Sequence, residues 1–278
     1  DHLYLHSFPT RRSSDLLAFG MAGCAFQTLL RNPLASPDMI GINAGASAAA
    51  VLGILVFKWS GMVLSTFSVL AGLSTALLIY ALSKGQHFSH GKLILIGISI
   101  QAAMSALISM LLLRASQYDV QGAMRWLSGS LQTMRLVEIW PLVVAVFVAG
   151  SGLVYYKRQL NLLAMGDAMA TALGLPAERS RISIIVFAVV LTAFASSLTG
   201  PIAFVAFLSG PIANSIVGRG EGHPLAAGLV GAVIVLASDL VGQQLLPMKL
   251  PVGVITGLVG SPYLIGLLVK YQRSGGVS

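Results

Sequence analysis

Asp239, in Ala237-Ser238-Asp239-Leu240, is an acid set well inside an apolar run. A charge at the centre of a bilayer costs about 2.5–3.5 kcal/mol on insertion scales, so it needs a task. One task is carrying a proton in a gradient-driven secondary transporter. The other is structural, an acid near a helix end that hydrogen-bonds to a neighbour. A proton relay uses several such groups and the other apolar runs supply none, which favours the structural task. Ser209, in Leu208-Ser209-Gly210-Pro211, has the type of an intramembrane nucleophile. That chemistry requires a base within hydrogen-bond reach. The nearest histidine in the sequence is His223, in a polar loop, and Ser209-Gly210-Pro211 reads better as a helix deformation. His87 and His90 flank a turn and are too isolated to form a metal site. The single cysteine, Cys24, excludes a disulfide framework and a cysteine-based metal centre. No G-x-x-x-x-G-K-[ST] loop is present, so the chain cannot cradle a nucleotide phosphate. Catalytic and metal-binding residues are therefore expected to be none. If the chain pumps, the energy comes from another chain or from an ion gradient.

Weakly polar residues show a pattern of another kind. Gln101, Met104, Ser105, Ile108 and Ser109 fall at i, i+3, i+4, i+7 and i+8 and share one helical face. Such a face suits close packing of a second helix, or the wall of a wide pathway that must release its cargo easily.

The elements that would position these residues are membrane helices. Of the 278 residues, 56% are apolar and 9% charged, and the mean hydropathy is +0.85. Soluble domains carry about 25% charged residues. Nine apolar segments cover 16–30, 43–59, 62–83, 93–113, 136–156, 182–198, 202–217, 225–246 and 252–269. Most are long enough to cross a hydrocarbon layer of roughly 30 Å. Isolated spans must be helical, so the class is all-α and polytopic. With Arg11 and Arg12 set aside, one set of alternate loops carries ten Lys and Arg residues, from Arg31 to Arg273, and the other carries five. This asymmetry puts the Arg31 turn and the C-terminus on the cytoplasmic side. It also accounts for the net charge of +8 without nucleic acid, for which no basic stripe with interleaved aromatics exists.

Three connections have chemistry of their own. Pro33 and Pro37 end the first helix, and Asn43 is positioned to cap the second. On the outer side, Asp119 is expected to cap a short interfacial helix containing Trp126. On the inner side, Asp167 is expected as the N-cap of a short amphipathic helix, with Gly174 as C-cap and Pro176 as the stop. That helix is either a membrane-lying linker or a docking surface for a soluble partner. Residues 1–15 do not fit the rest of the chain. The string Thr10-Arg11-Arg12-Ser13-Ser14-Asp15-Leu16 looks like a translated sequencing adapter, so 1–15 is set aside as non-native. A single transmembrane domain, 16–278, is expected, with its native N-terminus missing and its first helix truncated.

Five motifs recur in order. They are Gln27 with Arg31-Asn32-Pro33-Leu34 through Gly41 and Gly45; Trp126-Leu127-Ser128-Gly129-Ser130-Leu131; Leu162-Leu163-Ala164-Met165-Gly166-Asp167 with Ala172-Leu173-Gly174; Gly200-Pro201-Ile202-Ala203-Phe204-Val205; and Leu250-Pro251-Val252-Gly253 with Gly260-Ser261-Pro262-Tyr263. Together they resemble the FecCD family, permease subunits of type II ABC importers for ferric siderophores, haem and cobalamin. The resemblance runs from Leu17 to Lys270. It implies a cobalamin-permease-like bundle, with ten helices in the family against about nine here. It also implies a second permease subunit, as a homo- or heterodimer, and two ATPase subunits that hold ATP and Mg²⁺, with no cofactor in this chain. A substrate-binding protein would deliver the cargo. By the same resemblance, Leu163, Gly166, Asp167, Ala168, Leu173, Gly174 and Leu175 form the loop that seats in the ATPase. The 93–113 helix and the short external helix line the pathway. Arg125, Arg135 and Lys249 are the candidates for docking the binding protein. The chain departs from the family pattern at Gly210-Pro211-Ile212-Ala213-Asn214, where Pro-His before I-A-R is common.

Overall fold

The structure, a computed structural model, describes residues 13–83, 90–130, 140–218 and 222–273. Every regular element among them is a helix. In chain order these are α1 (Ser13–Leu29), a 3₁₀ turn (Pro37–Ile40), α2 (Ile42–Leu55), α3 (Gly61–Ser83), α4 (His90–Arg114) and α5 (Gln117–Leu127). Then come α6 (Trp140–Tyr155), α7 (Lys157–Ala164), α8 (Asp167–Ala172), α9 (Ala177–Thr199), α10 (Val205–Val217), α11 (Pro224–Leu245) and α12 (Val252–Arg273). Helices α6 and α11 each contain one π-helical turn, at Val146–Gly150 and Val241–Leu245.

Each of the nine apolar segments contains a helix, but their lengths differ. Gly61–Ser83, Gly91–Arg114, Ala177–Thr199 and Pro224–Leu245 are long and apolar enough to cross a membrane alone. Helices α6 and α7 meet at a 53° bend. Helix α2, with 14 residues, is only about 21 Å long, and α10, with 13, is shorter still. Irregular backbone precedes each of them: residues 31–41 before α2 and 200–204 before α10. Non-helical backbone is tolerated at membrane depth only where protein surrounds it. Ala35, Ser36 and Ile202 are indeed buried.

Helix α1 is the hub. Every residue from 18 to 27 is buried, so the helix is enclosed on all sides. Its glycines set how close the neighbours come. A methyl group on Gly23 would lie 1.9 Å from the Ala206 carbonyl oxygen of α10, and one on Gly20 would lie 2.2 Å from that of Ala227 in α11. Between lipid-soluble helices the association comes from such close packing, because burial from water contributes nothing there. Met21 fills the space beside Gly150 in α6 and Gly228 in α11. By contrast α4 is largely exposed along its length.

Candidate functional site

The turn after α1 opens with Arg31 in the left-handed region (φ 49°). Asn32 stabilises it by accepting the Leu34 N–H at 2.9 Å, an Asx turn. Pro37 opens the 3₁₀ turn, and Gly41 (φ 81°) ends it and precedes α2. A Cβ at Gly41 would lie 2.8 Å from the Gly97 carbonyl, so the turn sits directly on the middle of α4. Gly45 similarly admits Thr75 of α3. Asn43 does not cap α2, as its position suggested; Gly41 holds the cap position. The Asn43 side chain is buried instead. It donates to Asp38 Oδ1 and accepts from Ser196 Oγ of α9 at 2.6 Å.

Between these elements lies a cavity of about 610 Å³. The turn supplies Leu34, Ser36 and Asp38, α2 supplies Asn43 and Ser47, and α4 supplies Gln101, Ser105 and Ile108. The opposite wall is apolar: Leu127, residues 201–204, Phe207 and Leu264. Of the five residues expected on the α4 face, Gln101, Ser105 and Ile108 line the cavity. Met104 and Ser109 do not, and Ser109 Oγ donates to the Ser105 carbonyl at 2.9 Å. The volume is in the range of small-molecule sites, and the lining is apolar with a few polar groups on one side. Phe204 enters it from a left-handed backbone (φ 66°), a conformation that costs a bulky residue about 1–2 kcal/mol.

Three motif glycines pack one end of the bundle, beside Leu127 and Pro201 of the cavity wall. A Cβ on Gly129 would lie 2.7 Å from the Pro201 carbonyl oxygen. One on Gly200 would lie 2.1 Å from that of Trp126, and one on Gly253 would lie 2.2 Å from that of Ser128. The Ser130 N–H donates to the Thr199 carbonyl at 2.7 Å, locking α5 to the end of α9. At this end Ser116, not Asp119, is the N-cap of α5. Asp119 is the third helical residue: its N–H donates to Ser116 Oγ (3.3 Å), and its carboxylate accepts from the same hydroxyl (2.6 Å). Lys58 Nζ lies 2.7 Å from Asp119 Oδ2. Hydrogen bonds from Lys58 and Ser116 hold this carboxyl below its ordinary range. Arg125 and Lys249 are exposed here, and Arg125 borders a second groove with Trp59 and Trp126. Arg135 lies outside the described residues.

The other end carries α7 and α8. Gly166, at φ 113°, makes the corner between them, a conformation suited to glycine. It is Gly166, not Asp167, that occupies the N-cap position of α8. The helix ends in a Schellman motif: Leu175 N–H donates to the Ala170 carbonyl and Gly174 N–H to that of Thr171, with Gly174 left-handed. Leu163 is buried and Leu175 half-buried. Ala168, Met165, Met169 and Leu173 are exposed, the last at 58%. The Asp167 carboxylate turns back to the bundle, where it bonds Arg181 of α9 and lies 3.6 Å from Arg31. Sequence reasoning missed this triad, and it missed Asp38 and Ser196. The signal was present, since Arg31 and Asp167 belong to two of the recurring motifs, but nothing in the spacing pairs residues 136 positions apart.

Residues 17–270 match the FecCD transport family. The chain belongs to the FecCD family. Over 260 residues it is 38% identical to the ferric enterobactin transport system permease protein FepG of Escherichia coli K12, covering 92% of this chain and 78% of that one. The iron(3+)-hydroxamate import system permease protein FhuG of Bacillus subtilis 168 is 33% identical, covering 97% and 84%. Among solved structures, an inward-facing metal-chelate type ABC transporter superposes with a TM-score of 0.83 at 29% identity, over 94% of this chain and 86% of that one. The chain is thus an all-helical membrane permease, and its named relatives are permeases of iron-chelate import systems.

The remaining chemical candidates in this FecCD permease make hydrogen bonds within their own helices. Asp239 is buried just before the π-helical turn of α11 and accepts a hydrogen bond from Gln243 Nε2 one turn on. Ser209 Oγ donates to the Val205 carbonyl of its own helix at 2.6 Å. Among the described residues no three His, Cys, Asp or Glu side chains cluster as metal ligands.

Proposed function

We propose that this permease is the membrane-spanning subunit of a binding-protein-dependent ABC importer that carries a ferric siderophore across a bacterial cytoplasmic membrane. What carries the reading is the family match over 17–270 together with 38% identity to a permease named for ferric enterobactin. Two copies, or this chain and a homologue, would face one another across α4 and the cavity. The cavity wall, apolar with scattered hydroxyl and amide groups, suits a bulky chelate that must not be held tightly. ATP and Mg²⁺ would bind in two separate ATPase subunits, each receiving the exposed Ala168 and Met169 of α8 and Leu173 just after it. Closure of the ATPases would switch the pathway between the two faces of the membrane. The ten-to-five distribution of Lys and Arg supports placing α8 and the C-terminus inside. Arg125, Arg135 and Lys249 would then lie outside, where the binding protein delivers its cargo.

The test is co-expression of the full-length protein with the ATPase and binding protein encoded beside it, followed by purification through the permease. The ATPase is expected to co-purify with the wild type and to be lost with Gly166→Trp or Leu173→Glu. Failure of the wild type to retain an ATPase, with iron-chelate uptake driven by a proton gradient alone, would refute the reading.

A further inference from the structure

Asp167 touches the start of two separate routes into the cavity. The first is α9. Arg181 lies near its beginning, with a side chain only 5% exposed and bonded to the Asp167 carboxylate. Fifteen residues and roughly 22 Å further along the same helix, Ser196 Oγ donates to Asn43 Oδ1. The second route is the turn 31–41. Arg31 opens it, 3.6 Å from the same carboxylate, and Asp38 within it accepts from Asn43 Nδ2. Both routes end on one carboxamide, that of Asn43, which lines the cavity. The contacts therefore form a closed ring: Asp167, Arg181, α9, Ser196, Asn43, Asp38, the turn, Arg31 and Asp167 again.

We propose that Asp167 is a positioning residue that ties the ATPase-facing helix α8 to the cavity wall through these two struts, so that transport per ATP depends on it. This rests on the reading of α8 as the ATPase contact. The side chain is directed at the bundle while Met169 of the same helix and Leu173 just after it are exposed, so α8 divides the two tasks between its faces. The struts differ in strength. A buried guanidinium loses heavily without a counter-charge, so Arg181 follows Asp167 when α8 moves. The Arg31 pair is longer and nearly half exposed on both sides, and such pairs are weak. Helix α9 is thus the firm strut, and the turn is the one that slips. When they move unequally, the difference falls on Asn43, whose carboxamide is held by one partner from each.

The test is double-mutant analysis in proteoliposomes containing the permease–ATPase complex and loaded binding protein. Uptake of labelled ferric chelate and phosphate release are measured in the same sample. The readout is chelate transported per ATP hydrolysed, which is insensitive to how much ATPase each variant retains. Asp167→Asn is expected to lower this ratio roughly fivefold or more, and Asp167→Glu to restore most of it. Asn43→Ala is expected to lower it comparably, and the double variant to be no worse than the poorer single one, because both break the same ring. Arg31→Gln, which leaves the Arg181 pair intact, is expected to give a roughly two- to fivefold fall and carries the test if Asp167→Asn does not assemble. An unchanged ratio in Asp167→Asn, or in Arg31→Gln where Asp167→Asn cannot be assembled, would overturn the proposal. So would a double variant whose loss is the product of the single losses. A wild-type permease that binds no ATPase would overturn the underlying reading as well, and co-purification alone reveals that case.

Discussion

Pro211 has no N–H, so the carbonyl four residues earlier in α10, that of Phe207, has no helical donor. Gln27 of α1 supplies one: its Nε2 donates to the Phe207 oxygen at 2.9 Å, and the amide fits because Gly210 presents no side chain there. A buried carbonyl left without a partner costs about 1–3 kcal/mol. Gln27→Leu is therefore expected to lower the unfolding midpoint of the detergent-purified permease, and Gln27→Glu, which keeps the length but loses the amide donor, to do the same. Phe207 lines the cavity, so this bond also fixes one of its walls.

At the scale of the element, α5 shows how a short helix is held in place. Eleven residues do not form a stable helix alone. Ser116 caps it, Asp119 completes the reciprocal bond, and Lys58 ties it to the α2–α3 connection. Because the Asp119 carboxyl is held below its ordinary value of about 3.8, its ionised form is favoured in the folded protein. That contribution is fully present above the unfolded value and is lost as pH falls through the depressed one. The protection factors of the α5 amides, exchange relative to unstructured chain at the same pH, are thus expected to be constant near neutrality and to fall below about pH 4. In Asp119→Asn the protection should be lower from the start and show no such step.

At the scale of the molecule, α1 decides the arrangement, because two neighbours, α10 and α11, approach it as closely as backbone permits. A methyl group at Gly23 would overlap the Ala206 carbonyl, and neither helix can yield without displacing the others. Overpacking of this kind costs about 1–3 kcal/mol. Gly23→Ala is expected to lower the thermal midpoint and the yield of monodisperse protein. Gly122→Ala, on the open face of α5 with no atom within 4 Å of the added carbon, is expected to be neutral or mildly stabilising.

Hydropathy and the rules of backbone hydrogen bonding were enough to assign an all-helical membrane protein and to locate nine apolar segments, since both act along the chain. Ordered motifs were enough to place it in the FecCD family. Local spacing could also identify Gly174 as the end of the short inner helix, although it put the caps of α2, α5 and α8 one to three residues away from Gly41, Ser116 and Gly166. Capping depends on which residue turns out of the helix, and several neighbours of suitable type compete for it. Only the tertiary structure decided that Asn43 belongs to the cavity, that Asp167 serves Arg31 and Arg181, and that Gly129, Gly200 and Gly253 meet. Those contacts join segments that are adjacent only after α1 is surrounded, and a polar pair between distant segments leaves no periodic trace in either one.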